Sequence, residues 1–442
     1  MATSFTRTPF LRAITARGYS VSALPVSGNP NAEVKCTTLP NKVVVAAVDN
    51  NASLTRVSIV FRSGSRNEET DNLGVTHVLR TAAGLSTKNA SQFAIIRNIQ
   101  QVGANLTATS DRETITYTLE GTKEAVERAL PFLTEVATQQ EFRPWEVSEL
   151  SNRLLLDIAT RPLQLRAVDL LHNAAFRGRG LGNSLFIPKP QIGKISSETL
   201  QHYVASNFLS GRTAVIGSGI SERELAQYAN SLKIGNGEGN TSPSPYKGGE
   251  LRSNKGGPLA FVAVAGEGTA LKNTQEALAF AVLQRAIGAG PQIKYCTADN
   301  GIFSKAIGSP ADVSSAAINV SYSDTGLFGI LLAAPTKSVG KVVETAVKVL
   351  KSGCVSDEDV NRGKNQLKTA ILLDNESGAD IVRNTGTQAA LTQSVSSAKS
   401  LVAAVESVTT SDVQNALKKA GRNLSLASIG NLSGVPYLDE LK

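Results

Sequence analysis

The chain has 442 residues, of which 41% are hydrophobic and 19% are charged, and its formal net charge is +8. This length exceeds what one compact core usually holds, so we expect two or more domains. The composition is that of a soluble globular protein, and no apolar run is long enough to predict a transmembrane helix. The mild positive charge gives little reason to expect nucleic acid as a partner.

The charge is uneven at the N-terminus. Residues 1–32 include three arginines and many Ser and Thr residues but no acidic residue. This composition is typical of a mitochondrial transit peptide. The stretch ARGYS is typical of a matrix cleavage signal, so we assign the peptide to residues 1–19, with the cut between Tyr19 and Ser20. An N-terminal segment without a targeting role is the alternative.

The cysteines predict neither a metal cluster nor a disulfide framework. Cys36, Cys296 and Cys354 lie far apart and form no Cys-x-x-Cys pair. We expect buried, reduced thiols in a reducing compartment and no cofactor bound by this chain.

Two halves of the chain show the same order of predicted elements. The first predicts, in chain order, a strand and polar turn at 54–68, a helix from Gly74, a β-hairpin at 104–121 turning at Asp111 and Arg112, and a helix at 122–138. The second predicts a strand at 259–268, a helix at 273–288, a hairpin at 316–335 turning at 324–326, and a helix at 336–353. The common order at a nearly constant spacing predicts an internal duplication.

A segment rich in Gly, Ser, Asn and Pro separates the halves at residues 235–258, and this composition is typical of a linker. We therefore predict an N-terminal domain at 36–234 and a C-terminal domain at 259–438. The predicted fold class is α+β, with two similar domains that each consist of a mostly antiparallel sheet covered by helices on one face. The domains can face each other and leave a cleft or chamber between them.

The stretch NLGVTHVLRTAAG, residues 72–84, has part of the pattern of a zinc-peptidase helix. In the inverted motif His-x-x-Glu-His, two histidines four residues apart bind zinc from one helix face, and the glutamate activates the metal-bound water. Here the first ligand position is His77, the position of the glutamate is Arg80, and the second ligand position is Thr81.

Together with FRSGSRNE at residues 61–68 and the second copy after the linker, this stretch resembles the inverzincin family of pitrilysin and the mitochondrial processing peptidase. The resemblance covers the chain from about Cys36 to the C-terminus. It implies a third metal ligand, a glutamate on a later helix, and the matching position here is Asp157.

The resemblance also implies that the zinc site is lost. His77 and Asp157 supply at most two ligands, whereas catalytic zinc needs three and an open position. Arg80 cannot act as a base and would repel a dication, and it could pair with Asp157 instead. The other two histidines, His172 and His202, lie in helical stretches without a partner at ligand spacing, so we predict neither catalytic nor metal residues.

Members of this family without zinc include the alpha subunit of the processing peptidase and the core subunits of ubiquinol–cytochrome c reductase, respiratory complex III. GAGPQIK, residues 288–294, resembles the core-subunit branch, and the short stretch around it lacks the glycine-rich loop of the alpha subunit. The resemblance therefore implies a structural subunit on the matrix side of the inner membrane. Its implied partners are core protein 1, cytochrome b, cytochrome c1 and the iron–sulfur subunit, with a presequence peptide as a further candidate for the cavity between the core subunits. A presequence-binding alpha-type subunit and an active peptidase are the alternatives.

Overall fold

The structure, a computed structural model, describes residues 33–239, 241–290, 300–308 and 312–441. The predicted transit peptide with Tyr19 and Ser20 lies outside the described residues, as do Cys296 and residues 291–294 of the GAGPQIK stretch. Cys36 and Cys354 are free and exposed, so the expectation of buried thiols is wrong for both.

The first half of the chain forms a sheet of six strands. Its strands are β1 (Lys35–Thr38), β2 (Val44–Val48), β3 (Thr55–Phe61), β4 (Asn105–Ser110), β5 (Ile115–Gly121) and β6 (Thr213–Ser218). Their spatial order is β1-β2-β6-β3-β5-β4, and every neighbouring pair is antiparallel except β2 and β6.

The second half forms a sheet of five strands. They are β7 (Glu250–Asn254), β8 (Leu259–Glu267), β9 (Ser314–Ser321), β10 (Gly326–Pro335) and β11 (Ser425–Gly430). The order β7-β11-β8-β10-β9, with only β7 and β11 parallel, matches the order β2-β6-β3-β5-β4 of the first sheet. The predicted duplication and the mostly antiparallel sheets are therefore present. The Gly- and Ser-rich segment 235–258 is not without regular structure, because β7 lies within it and pairs with β11.

Helices follow the strands in both halves. The first half contains α1 (Val75–Thr81), α2 (Gln92–Gln101), α3 (Lys123–Thr138), α4 (Pro144–Glu149), α5 (Ser151–Thr160), α6 (Leu163–Phe176), α7 (Ser197–Asn207) and α8 (Glu222–Ser231). The second half contains α9 (Thr274–Ile287), α10 (Ile302–Ile307), α11 (Val339–Ser352), α12 (Asp357–Asp374), α13 (Gly378–Thr392), α14 (Ala398–Ser407) and α15 (Thr410–Ala420). Short 3₁₀ turns lie at Ser65–Asn67, Gly180–Gly182, Lys189–Gln191 and Ser210–Arg212.

The local sequence explains where these elements begin and end. In β5 the residues alternate between buried and half-buried, as the period of a strand requires. Thr122 ends the hairpin and caps α3, because its side-chain oxygen accepts the N–H of Ala125. The predicted hairpins, strands and helices therefore lie close to their predicted positions.

Each half covers one face of the other half's sheet with a helix. On α6, Leu171 packs against Ala263 of the second sheet. On α13, Ala389 packs against Ile216 of the first sheet. Every residue of β6 and β11 is buried, so both faces of each sheet are covered at these strands. The prediction that helices cover one face of each sheet is therefore incomplete.

A cleft of ≈ 980 Å³ lies beside α9, α13 and the edge strand β9, and its lining includes Val34 and Arg62 from the first half. Across the described residues, no helix is long and apolar enough to cross a membrane.

Candidate functional site

Helix α1, which carries His77, is held at its N-terminus by a buried carboxylate. Glu68 accepts the backbone N–H of Gly74 at 2.7 Å and that of Thr76 at 3.0 Å. Burial raises the pKa of Glu68 to about 7, against the lowering effect of these hydrogen bonds. Gly74 has φ of 92°, and a Cβ there would lie 2.5 Å from Ile187 Cα. Glycine therefore allows α1 to approach the segment around Ile187.

Both ring nitrogens of His77 have hydrogen-bond partners. The side chain is 0% exposed. Its Nδ1 accepts the backbone N–H of Ile187 at 3.2 Å, and its Nε2 lies 3.3 Å from Asp157 Oδ2. Because Nδ1 accepts, the neutral ring carries its proton on Nε2 and donates it to Asp157.

The surroundings of His77 favour the neutral ring. Burial lowers the pKa of His77 to about 4, and the charge of Arg80 adds to this effect. The carboxylate of Asp157 acts in the opposite direction but does not outweigh the two. At neutral pH the imidazole is therefore uncharged, hydrogen-bonded at both nitrogens and packed edge-on against Phe186, with ring centroids 5.0 Å apart.

Arg80 and Thr81 complete the surroundings in ways unlike the zinc motif. The guanidinium carbon of Arg80 lies 5.5 Å from the centroid of the Phe186 ring. Among the described residues, Arg80 and Asp157 form no direct ion pair, and Asp157 accepts a hydrogen bond from His77. The charge of Asp157 still acts on Arg80, where it opposes the lowering of the pKa by burial. Thr81 Oγ1 donates to the carbonyl oxygen of His77 at 2.8 Å. This bond ties the hydroxyl to the helix backbone.

These residues do not fit a zinc ion. His77 would have to release one of its two hydrogen-bond partners before it could bind a metal. The hydroxyl of Thr81 is a weak metal ligand, and its proton is donated to the carbonyl oxygen of His77. Arg80 places a permanent cation in the position of the catalytic glutamate. Within the described parts of the chain, no group of three or more His, Cys, Asp and Glu side chains could hold a metal. The arrangement stabilises α1 against α5 and the Ile187 segment.

The other histidines have different surroundings. His172 is buried, its Nδ1 donates to the carbonyl of Val168 at 2.7 Å, and its Nε2 accepts from the Tyr322 hydroxyl at 2.7 Å. This second bond joins α6 to the hairpin of the second half. His202 is exposed on α7.

Sequence reasoning missed three residues around His77. Phe186 and Ile187 lie 109 and 110 residues beyond it, and no periodic signal connects such distant positions. Arg161 also contacts the Phe186 ring, with its guanidinium carbon 4.6 Å from the centroid. A signal for Arg161 did exist, because it lies four residues after Asp157, one helical turn away.

Comparison with known proteins shows the family of the chain. The family described as "Insulinase (Peptidase family M16)" matches residues 43–189, and that described as "Peptidase M16 inactive domain" matches residues 194–367. The "Cytochrome b-c1 complex subunit 2, mitochondrial" of Mus musculus is 38% identical over 92% of this chain and 92% of its own length. The chain belongs to peptidase family M16. These similarities make it a non-catalytic member.

Two further relatives differ in how similar they are to this chain. The protein of the same name from Homo sapiens is 37% identical over 100% of this chain and 99% of its own length. The "Probable mitochondrial-processing peptidase subunit alpha-1, mitochondrial" of Arabidopsis thaliana is 27% identical over 92% of this chain and 84% of its own length.

Proposed function

We propose that this chain is a non-catalytic core subunit of mitochondrial ubiquinol–cytochrome c reductase, respiratory complex III, of the core protein 2 type. The observation that carries the proposal is the identity of 37–38% over nearly the whole length to proteins named as subunit 2 of the cytochrome b-c1 complex. The similarity extends across both halves, so it concerns the complete two-domain architecture.

In this role the chain supports the assembly and stability of the complex on the matrix side of the inner membrane, and hence respiratory electron transport. It pairs with core protein 1 and contacts cytochrome b, cytochrome c1 and the iron–sulfur subunit. These partners hold it at the membrane and carry the redox cofactors. The cavity between the two core subunits is a candidate site for a presequence peptide.

The processing and domain limits form part of the same proposal. Residues 1–19 are a transit peptide cut between Tyr19 and Ser20, and the peptidase-like domains occupy 36–234 and 259–438. We further infer that His77, Arg80, Thr81 and Asp157 are the remnant of a zinc site. Their hydrogen bonds and charges support this origin, since each position of the motif now has a structural contact.

The second candidate is an alpha-type partner of a mitochondrial processing peptidase, which binds presequences without cleaving them. The 27% identity to the Arabidopsis thaliana alpha-1 subunit supports it. That similarity is lower than the 38% to subunit 2 from Mus musculus and covers less of the relative's length, so the core-subunit proposal takes precedence.

Native separation of a mild-detergent mitochondrial extract tests the proposal. A core subunit migrates in a large particle that shows haem absorption, and the subunit is absent from the soluble fraction. An alpha-type subunit migrates as a soluble, haem-free pair whose partner cleaves presequences, and this result would replace our proposal. Stoichiometric zinc and peptide cleavage by the purified chain alone would contradict both.

A further inference from the structure

Arginine side chains gather around the position of the former zinc site. The guanidinium carbons of Arg80 and Arg161 lie 5.5 Å and 4.6 Å from the centroid of the same ring, that of Phe186. Burial lowers the pKa of Arg80, the charge of Asp157 acts in the opposite direction, and the nearby charge of Arg153 lowers the pKa further. Arg153 and Asp157 lie four residues apart on α5 and therefore share a face of this helix.

Two carboxylates lie among these arginines. Asp169 is shared between Arg112 at 2.7 Å and Arg161 at 3.3 Å, and it also accepts the hydroxyl of Ser184. Asp157 accepts the hydrogen bond from His77. The neutral ring of His77 leaves the charge of Asp157 in place. Four arginines, at positions 80, 112, 153 and 161, therefore face two carboxylates, Asp157 and Asp169, and the surroundings of Phe186 have an excess of positive charge.

The arginines also retain unused hydrogen-bond donors. Among the described residues, Arg80 donates no hydrogen bond to the protein. The Nε atom of Arg161 is buried and has no partner there either. A guanidinium presents planar pairs of donors that match the two oxygens of a carboxylate, and a charge-assisted bond of this kind is stronger than a neutral one.

Apolar surface adjoins these donors. Leu156, one helical turn from Arg153 on α5, is 60% exposed, and the Phe186 ring is half-buried. A peptide that alternates acidic and apolar side chains would match both the charge and the exposed surface. A free phosphate would use only the charge.

We propose that the former zinc position, around Arg80, Arg161 and Phe186, binds a carboxylate from an acidic segment of another polypeptide. The arginine at position 80, where the zinc motif has a glutamate, thus supplies a donor for an anion in place of the base of a cation site. This inference goes beyond the proposed function, because it concerns the surface of this chain and holds whichever complex contains it.

A binding assay with the full chain tests the proposal. The probe is a fluorescein-labelled hexapeptide of alternating Glu and Leu, and fluorescence anisotropy is measured at about 50 mM salt, where charge interactions are weakly screened. We expect saturable binding that weakens as salt increases. A peptide with Gln in place of Glu should not bind, and equal binding of the two peptides would overturn the proposal.

Variants with opposite expected effects locate the site. Arg80→Gln should weaken binding of the acidic peptide about tenfold, since it removes a charge-assisted contact. Asp157→Asn should strengthen binding several-fold, because it removes the competing carboxylate while its amide oxygen still accepts from His77. Arg128→Gln, on the exposed face of α3, is the control for the loss of one arginine.

A folding defect would weaken peptide binding in both variants. Weaker binding by Arg80→Gln together with stronger binding by Asp157→Asn would therefore exclude a folding defect as the cause. Unchanged affinity in both Arg80→Gln and Asp157→Asn would overturn the proposal. Inorganic phosphate serves as the competitor for the second source of an anion. Unlabelled acidic peptide, added at equal total charge, is the reference competitor. If phosphate displaced the labelled peptide as effectively as this reference did, the site would bind phosphate, and the assignment to a peptide carboxylate would be wrong.

Discussion

Arg66 in the first half forms a bidentate ion pair with Asp324 in the hairpin of the second half. Its Nη1 lies 2.8 Å from Oδ1, and its Nη2 donates to Oδ2. Nη1 also lies 2.6 Å from Glu113 Oε1, and Glu113 in turn accepts the backbone N–H of Ser323. The turns of the two equivalent hairpins therefore meet in one polar network, and this network joins the halves where the Arg66 side chain is only 3% exposed.

Asp324→Ala should reduce the free energy of unfolding by about 3 kcal/mol, because it removes one partner of a largely buried ion pair and leaves Arg66 without part of its compensating charge. The measurement is a urea titration followed by circular dichroism. The control is Asp49→Ala, which removes an exposed aspartate after β2. Equal stability of the two variants would show that the network contributes nothing to the contact between the halves.

The exchanged helices lead to a second prediction. Leu171 on α6 is 0% exposed and packs against Ala263 of the second sheet, whereas Leu165 on the same helix is 56% exposed. Leu171→Ala should destabilise the protein by about 3 kcal/mol, because it leaves a cavity between the halves. Leu165→Ala should cost less than about 1 kcal/mol. Similar losses for both variants would contradict the role of α6 as a cover for the second sheet.

The exchange of α6 and α13 could not have been predicted from the sequence. Periodicity shows that a helix has an apolar face, but it does not specify which sheet covers that face. The alternating strands and their hairpins were predictable, because residues close in the chain determine the period and the turn. β7 was missed for a different reason: its short segment ELRSN is only partly buried and lies among glycines typical of a linker.

At the candidate site, the local sequence pattern was predictable, whereas the contacts between distant residues were not. The departure from the pattern His-x-x-Glu-His was visible at Arg80 and Thr81, since the pattern is local in the sequence. The replacement contacts were not visible, because Ile187 and Phe186 approach His77 from distant positions in the chain. The suggested Arg80–Asp157 pair shows the limit of charge arguments. The two residues lie on different helices, and the charge of Asp157 acts on Arg80 without a direct ion pair, while the carboxylate accepts a hydrogen bond from His77.

The stability should depend on pH through His77. Burial holds its pKa in the folded protein at about 4, below the ordinary value of 6.5 that applies to the unfolded chain. The unfolded state therefore binds a proton first as the pH falls, and stability that is fully present above about pH 6.5 is lost towards pH 4. Between about pH 7.5 and about pH 5, this group should account for a loss of about 2 kcal/mol.

His77→Gln should remove this part of the pH dependence, as measured by urea titrations at both pH values. The exposed His202→Gln is the matched control for the loss of one histidine. Arg80→Gln should reduce the dependence in part, because the charge of Arg80 is the second cause of the lowered pKa of His77. A pH dependence that His77→Gln leaves unchanged would show that the ring is not held neutral by its surroundings.

Two glycines with the same backbone conformation separate the effect of strain from that of close packing. Gly74 and Gly84 both have φ of 92°, a region that L side chains rarely adopt. An added Cβ at Gly84 meets nothing within 4 Å, whereas at Gly74 it would lie 2.5 Å from Ile187 Cα. Gly84→Ala should therefore cost about 1 kcal/mol from backbone strain alone.

Gly74→Ala should cost at least about 2 kcal/mol more, because Ile187 must also move. That movement would weaken the hydrogen bond from the Ile187 N–H to His77 Nδ1, so the imidazole resonances of His77 should shift in Gly74→Ala and stay in place in Gly84→Ala. The measurements are urea titrations of both variants and NMR spectra of histidine-labelled protein, which contains only 3 histidines. Equal costs and unchanged spectra would mean that the approach of α1 to the Ile187 segment does not hold His77 in position.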